Sequence, residues 1–310
     1  MVAKSGSRRT LSSLCKARRQ TKSSHPAQFM RFIKLGIRLG QFAPVGPRFC
    51  RRKSVLEKRL RLRLVQAVAV AKELVRRPHR TARFLKDLQK FRHAGGVVAG
   101  YWPILRDFYD QAGNARGHYF HQDLLVAKYV HDMKPRRHLD VGSRIDGFVA
   151  HVASFRRIEV IDIRPLVSSA HHQITFVQQD IMSSEAQGPP IADSISCLHA
   201  IEHFGLGRYG DPIDPEGHLR GFKRLIKILE PGGRLYISVP ISTKNGVIFN
   251  AHRVFHPTDI LSWPGCEDSL SLANFDYVDD DGNLHREVDL FSSCPVVNYG
   301  CGIYTFERLS

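Results

Sequence analysis

The sequence predicts an α/β fold: a doubly wound, mostly parallel sheet with an antiparallel C-terminal edge, preceded by a basic helical N-terminal segment. From about residue 100 onward, short apolar runs alternate with helical stretches, which is typical of βαβ units. The runs "DSISCL" and "RLYISV" are apolar throughout, as expected of strands covered on both faces. The last two strand-like runs have no helix between them, which predicts the antiparallel edge.

The elements follow in order along the chain. Helices are predicted for "GHYFHQDLLVAKYVHDM" (117–133), "GFVAHVASF", "EGHLRGFKRLIKIL" and the short "HPTDILSW". Strands are predicted for "RHLDVG", "IEVIDI", "QITFVQQD", "DSISCLHA", "GRLYISVP", "NFDYVDDDG" and "GIYTFERL". The pair Asp281-Gly282 is a hairpin turn signal.

Charge divides the chain into two parts. Residues 1–100 contain 26 Lys and Arg and only 3 acidic residues, whereas residues 101–310 contain 20 against 26. We expect three segments: a basic, disordered tail (1–53), a basic helical segment (54–99) and a domain over 100–310. The acid-free tail is also compatible with an organellar transit peptide.

The basic segment predicts an anionic partner, either a membrane surface or a nucleic acid. A 3.6-residue apolar stripe runs from Leu60 to Val75 before Pro78 interrupts the helix. Such a helix can lie on an anionic membrane. Its apolar face can instead pack on the domain that follows.

Cysteine usage and hydropathy predict the compartment. The six cysteines are scattered without a CxxC pair, which indicates a reducing environment, and no apolar run is long enough to cross a membrane. We therefore expect a cytoplasmic protein, with peripheral attachment at the inner face of the membrane as an option.

Acidic and polar residues end four successive predicted strands. The first strand ends in "DVG" with Asp140 and Gly142, the second at Asp162 and the third at Asp180. In a doubly wound sheet, ligands bind beyond these strand ends. A carboxylate at Asp162 is placed to accept hydrogen bonds from two ribose hydroxyls.

The turn after the first strand excludes two phosphate-binding motifs. The stretch "GSRIDGFV" lacks the Lys-Ser/Thr of a P-loop. It also has Arg144 where a dinucleotide fingerprint requires its central glycine. An adenine cofactor without a pyrophosphate fits the turn better, with Arg144 available for a carboxylate.

Residues 137–240 resemble the class I S-adenosylmethionine-dependent methyltransferases, which have a Rossmann-like sheet. The resemblance rests on "HLDVG", Asp162, Asp180, "DSISCLHAIEH" and "LEPGGRLYISVP". More closely, "GHYFHQDLLVA", "DVGSRIDGFVAHV", "VIDIRPL" and "FNAHRVFHP" look like a little-characterised bacterial family of methyltransferase-like proteins. Its members are associated with surface-polysaccharide synthesis.

The resemblance implies S-adenosylmethionine as the cofactor, with Asp140, Gly142, Asp162 and Asp180 as contacts. The chain departs from the family in its glycine loop, usually Asp/Glu-x-Gly-x-Gly-x-Gly. Arg144 replaces the second glycine, and the third is displaced to Gly147.

Methyl transfer to a sugar or another small polar acceptor is the expected reaction. An attacking hydroxyl needs a general base, and His199 and His203 after the fourth strand are the candidates, with Glu202 beside them. Further histidines near the predicted site are His118, His121, His252 and His256. We expect no metal site, although the spacing of four between His252 and His256 and the acidic group Asp211, Asp214 and Glu216 each offer one. The acidic loop at 211–216 is expected to cap a helix.

Two other functions fit the sequence. A non-catalytic methyltransferase-like module in polysaccharide assembly would explain the altered glycine loop. An RNA methyltransferase would use the basic N-terminal part to grip phosphates.

Overall fold

The structure, a computed structural model, describes residues 78–167, 171–183 and 192–310. The chain divides into two compact units at residue 108. The predicted tail (1–53) and the stripe from Leu60 to Val75 lie outside the described residues. The segment boundaries predicted at 53 and 99 stay predictions.

The first unit contains one described α-helix, α1 (Pro78–His93). Arg80 donates a hydrogen bond to the backbone oxygen of Leu105. The guanidinium of Arg83 lies 3.0 Å from the ring centroid of Phe108. Two arginines of α1 thus hold the segment that follows the helix.

The second unit is built on an eight-stranded sheet in the order β3-β2-β1-β4-β5-β10-β8-β9, beside a two-stranded ribbon of β6 and β7. The first five strands pair in parallel, and the last three pair antiparallel. The strands are β1 (His138–Val141), β2 (Ile158–Asp162), β3 (Ile174–Gln178), β4 (Ala192–Leu198), β5 (Leu229–Ile241), β6 (Gly246–Ile248), β7 (His252–Val254), β8 (Leu270–Val278), β9 (Leu284–His285) and β10 (Gly300–Arg308).

Helices connect these strands and cover the sheet. They are α2 (His118–Met133), α3 (Ala150–Ala153), α4 (Gly217–Ile228) and α5 (Cys266–Ser269), with short 3-10 turns at Ile201–His203 and Asp259–Ser262. The stretch predicted as the helix "GFVAHVASF" begins as a wide, π-type turn (Ile145–Val149) and runs into α3.

Two apolar clusters lie on opposite faces of the sheet, because successive side chains of a strand point to opposite sides. One cluster contains Phe222 of α4 together with Ile195 and Ile237. The other contains Val126 of α2 together with Val160. The predicted doubly wound architecture and its antiparallel C-terminal edge are confirmed.

None of the described helices is long and apolar enough to cross a membrane.

The hairpin turn predicted at Asp281-Gly282 is confirmed, since β8 and β9 pair across it and Gly282 has a φ of +80°.

Candidate functional site

The sheet places the candidate residues at one edge. Parallel strands end on the same side, so the ends of β1 to β4 lie together. The chain leaves β1 toward β2 and β3 on one side and returns through β4 and β5 on the other. This reversal between β1 and β4 creates the crevice in which doubly wound folds bind ligands.

The turn after β1 is built around Gly142. Its φ is +76°, and a Cβ at this position would lie 2.8 Å from the Cβ of Ala200. Any other residue would be strained by both the backbone angle and the contact. The sequence therefore keeps a glycine where β1 and the segment after β4 approach most closely.

Asp140 is fully buried and is engaged by its own neighbours. Its carboxylate accepts hydrogen bonds from the backbone N–H of Ser143 (3.1 Å), the Ser143 hydroxyl (2.7 Å) and the Ser196 hydroxyl (2.5 Å). Burial raises the pKa of Asp140 to about 7, against the effect of these hydrogen bonds. The Asp140 carboxylate thus stabilises the turn after β1. Its direct contact with a cofactor stays a prediction.

Arg144 points into solvent and pairs with Asp146 through two hydrogen bonds of 3.0 and 2.9 Å. Its guanidinium also lies 5.8 Å from the ring centroid of Tyr119 on α2. The displaced Gly147 matters for packing, because a Cβ there would lie 2.6 Å from Asp123 Oδ2. Arg144 is thus exposed and paired with Asp146, and its contact with a ligand carboxylate stays a prediction.

Asp162 ends β2 and is held by Arg164. The carboxylate accepts hydrogen bonds from the backbone N–H of Arg164 (2.8 Å), from Nε (2.9 Å) and from Nη2 (2.5 Å). Arg164 also donates to the backbone oxygen of Gly142 and stacks on Tyr209. The oxygens expected to meet ribose hydroxyls are therefore covered by a guanidinium that is itself more than a third exposed.

Asp180 lies half-buried just beyond β3. Its carboxylate accepts a 2.9 Å hydrogen bond from the backbone N–H of Met182, which makes a tight turn at the strand end. It lies at the predicted edge of the sheet, and its role toward a cofactor stays a prediction.

Beyond β4, His199 and Glu202 form a buried pair. His199 Nδ1 lies 2.9 Å from Glu202 Oε1, and the two side chains are 5% and 1% exposed. His199 Nε2 and Glu202 Oε2 have no hydrogen-bond partner among the described residues. Burial opposes a charge on His199, but the Cys301 sulfur and the Glu202 carboxylate outweigh it and hold its pKa well above the usual value.

Three further side chains surround this pair. The His118 ring stacks on His199 at a centroid distance of 5.4 Å and an interplanar angle of 4°. Burial and the neighbouring His199 lower the pKa of His118 to about 4. Ser238 of β5 accepts a hydrogen bond from the backbone N–H of His199 and donates one to Gln122. The end of β4 is thus fixed against both α2 and β5.

His203 lies at the more open side of the cluster. Its Nδ1 lies 2.7 Å from the backbone oxygen of Ala251, and its Nε2 lies 3.7 Å from Glu202 Oε1. The bond to a carbonyl places the proton of a neutral ring on Nδ1 and leaves Nε2 as a proton acceptor. Burial lowers the pKa of His203, so the ring is neutral at physiological pH.

Arg253 stabilises the segment after β4 through hydrogen bonds to its backbone. This buried side chain donates to the backbone oxygens of Glu202, Phe204, Asp214 and Pro215. Nearby, the Asp211 carboxylate accepts bonds from the backbone N–H groups of 205, 207 and 209. The acidic loop thus holds its own backbone. The expected helix cap is not found, because Glu216 at the N-cap of α4 makes no side-chain capping hydrogen bond.

The predicted histidine pair at 252 and 256 is separated by its partners. His252 Nε2 lies 3.3 Å from the Tyr299 hydroxyl, and its ring also packs on His203. His256 Nδ1 lies 2.9 Å from Thr258 Oγ1. His252 thus borders the site, whereas His256 serves the turn before residues 259–262.

Three residues of the site were not indicated by the sequence: Cys301, Tyr299 and Gln122. Cys301 pairs with Pro240 in the antiparallel register of β10 and β5, which brings it to the ends of the parallel strands. An antiparallel last strand always begins at the edge where its parallel neighbours end. That rule, applied to "NYGCG", would have indicated Cys301.

Comparison with protein families gives one match, to a Caenorhabditis protein of unknown function (DUF268), over residues 172–262. This stretch runs from β3 to the 3-10 turn after β7 and includes His199, Glu202, His203 and Arg253. The sequence has no match among curated proteins.

Several solved methyltransferase structures are similar in fold. The N-methyltransferase NodS from Bradyrhizobium japonicum, bound to S-adenosylhomocysteine, is 13% identical over 63% of this chain and 89% of its own, with a TM-score of 0.43. The 1,6-didemethyltoxoflavin-N1-methyltransferase of Burkholderia thailandensis is 16% identical over 75% of this chain and 91% of its own, with a TM-score of 0.43. Human N-acetylserotonin methyltransferase is 12% identical over 61% of this chain and 51% of its own, with a TM-score of 0.41. Likeness at this level concerns the fold alone.

Proposed function

We propose that the chain is an S-adenosylmethionine-dependent methyltransferase that O-methylates a sugar or another small polar acceptor. One observation carries the proposal. The carboxyl ends of β1, β2 and β4 carry a glycine turn without room for a side chain, an acid and a buried His–Glu pair, respectively. The resemblance of residues 137–240 to class I methyltransferases supports the same assignment.

S-adenosylmethionine, when bound, supplies a methyl group activated on a sulfonium. Gly142 would shape the turn beside the cofactor, because its positive φ and the contact with Ala200 leave no room for a side chain. Asp162 would accept hydrogen bonds from the ribose hydroxyls after Arg164 turns away from its carboxylate. Arg144 is the residue for the methionine carboxylate, in exchange for Asp146.

His203 is the proposed general base. With the cofactor bound, transfer of its methyl group to an acceptor hydroxyl would release the hydroxyl proton, and His203 Nε2 would accept it. Glu202, 3.7 Å from this nitrogen, favours the imidazolium that forms. His199 is buried deeper than His203 and has the role of orienting Glu202.

The proposed acceptor is a glycan or another polysaccharide precursor. Its hydroxyls fit a site lined with histidine and tyrosine, whose polar groups can bind hydroxyls.

The proposed location is an anionic membrane surface, where such precursors are assembled. The excess of basic residues in the segment 1–100 fits this attachment. Phosphatidylserine vesicles should therefore bind the full chain and not residues 109–310.

A non-catalytic module is the alternative favoured by one observation. Arg164 already covers the Asp162 carboxylate, and serines already cover Asp140. If that closure is permanent, the cofactor cannot bind. The two functions therefore differ in cofactor affinity.

Calorimetric titration of the full chain with S-adenosylhomocysteine tests the proposal. We expect one site per chain with micromolar affinity. A chain that is folded by circular dichroism and releases no heat with this ligand would overturn the methyltransferase assignment and favour the non-catalytic module.

A further inference from the structure

Three side chains from distant parts of the sequence converge beside the proposed acceptor position. His118 comes from the beginning of α2, His199 from the segment after β4 and Cys301 from the beginning of β10. One potential ligand atom of each lies within 4.8 Å of those of the other two. Imidazole nitrogen and thiolate sulfur are the ligands that zinc prefers.

One of these ligand atoms is buried and makes no hydrogen bond of ordinary geometry with the described residues. His199 Nδ1 is engaged by Glu202, so the remaining ring atom is Nε2, in a side chain that is 5% exposed and that interacts with the Cys301 sulfur. A buried polar atom left unpaired costs roughly 1–3 kcal/mol. A cation bound at Nε2 would remove that cost.

The outer hydrogen bonds of both histidines match those of metal ligands. A metal-bound histidine typically donates its other ring N–H to a carboxylate or a backbone oxygen. His199 has Glu202 Oε1 at 2.9 Å for this purpose. His118 has a hydrogen bond with the backbone of Tyr299.

The surroundings also favour a cation. The Glu202 carboxylate lies 2.9 Å from His199 Nδ1, so it places a negative charge on the far side of the ring from Nε2. The ligand atoms of a tetrahedral zinc lie roughly 3.5 Å apart, so rotations that move each atom by about 1 Å close the site.

We propose that His118, His199 and Cys301 bind a zinc ion and leave its fourth position open. The site deepens the proposed function, on which its chemical role rests. An acceptor hydroxyl bound at the fourth position would lose its proton more readily, because zinc lowers the pKa of a bound oxygen ligand. That proton would pass to His203.

Metal content of the full chain tests the site. Protein purified with zinc sulfate and then dialysed should retain about one zinc per chain by mass spectrometry. The cobalt(II) form should show a thiolate-to-cobalt charge-transfer band. In C301S that band should vanish and zinc affinity should fall at least tenfold, whereas C294S, which changes another free cysteine, should match the wild type.

Glu202→Gln separates a metal site from a merely packed cluster. Loss of an outer partner lowers metal affinity by about 10- to 100-fold, so E202Q should bind zinc more weakly while keeping the cobalt–thiolate band. A folded wild type without zinc, or a C301S variant with unchanged zinc content and spectrum, would overturn the site. Titration with S-adenosylhomocysteine is read separately: cofactor binding without zinc refutes only the zinc site, and zinc without cofactor refutes only the proposed methyltransferase function.

Discussion

The ends of β1 and β2 and the end of β4 lie at the same edge of the sheet but differ in how well their polar groups are satisfied. Asp140 is satisfied by serines and Asp162 by Arg164, so the first region is closed by its own neighbours. After β4, His199 Nε2 and Glu202 Oε2 are buried and have no hydrogen-bond partner in the described part of the chain. A closed region must rearrange to bind a ligand, whereas an unsatisfied one gains from a ligand directly.

This difference assigns separate tasks to the two regions. The β1–β2 region is expected to set cofactor affinity, at the cost of displacing Arg164. The β4 region is expected to set the chemistry, since it has the free proton acceptor on His203 and the unpaired atoms beside it. Variants on the two sides should therefore change different measured quantities.

The largest effect is expected from His203→Asn. Asparagine can keep the hydrogen bond to the Ala251 oxygen but cannot accept the acceptor proton, so turnover should fall by roughly 10²-fold or more. The assay follows labelled methyl transfer from S-adenosylmethionine to a panel of nucleotide sugars. Affinity for S-adenosylhomocysteine should not change, and His131→Asn on the exposed face of α2 is the control. A loss of affinity equal to the loss of turnover would contradict the separation.

Gly142→Ala should disturb the closed region most. The positive φ and the contact with Ala200 predict that the free energy of unfolding falls by about 2 kcal/mol. Affinity for the cofactor should fall as well. Urea denaturation measures the free energy of unfolding. Gly246→Ala, where a Cβ meets no heavy atom within 4 Å, is the matched control and should stay within about 0.5 kcal/mol. Equal behaviour of the two variants would show that the turn tolerates a side chain.

Asp162→Ala should weaken binding of S-adenosylhomocysteine by about tenfold, since two charge-assisted hydrogen bonds to ribose are lost. Arg144→Ala should weaken it less, because this arginine is exposed and must first leave Asp146. Calorimetric titration gives both dissociation constants. The opposite ranking would count against the ribose assignment.

A smaller effect concerns acid stability. His138 is fully buried between Ser194 and Ser196, and burial lowers its pKa from 6.5 to about 3. The unfolded chain takes up a proton below pH 6.5 that folded His138 refuses, so the stability present above that pH is lost as the pH falls toward 3. Asp140, with its raised pKa, acts in the opposite direction.

His138→Gln isolates the histidine contribution. Its free energy of unfolding should change less between pH 6.5 and 4.5 than that of the wild type, by roughly 1 kcal/mol per pH unit. Identical slopes for the two proteins in urea denaturation would show that His138 does not titrate as described.

The sequence was sufficient for the sheet because buried strands leave a continuous apolar pattern that does not depend on distant partners. It also located Glu202 and His203, which follow directly from the end of β4. The sequence did not indicate that Arg164 covers Asp162, because a sequence pattern does not show whether a carboxylate contacts a ligand or the side chain two positions further along the chain. Arg253 and Cys301 were passed over, since their roles depend on contacts with residues more than 35 positions away.

A crystal structure of the full chain with S-adenosylhomocysteine decides whether the Asp162–Arg164 pair opens for the cofactor. We expect the ribose hydroxyls on the Asp162 carboxylate, Arg164 turned away from it, and the homocysteine end beyond Gly142 toward Arg144. Ligand density elsewhere, or an Asp162–Arg164 pair that stays closed with the crevice unfilled, would contradict this expectation.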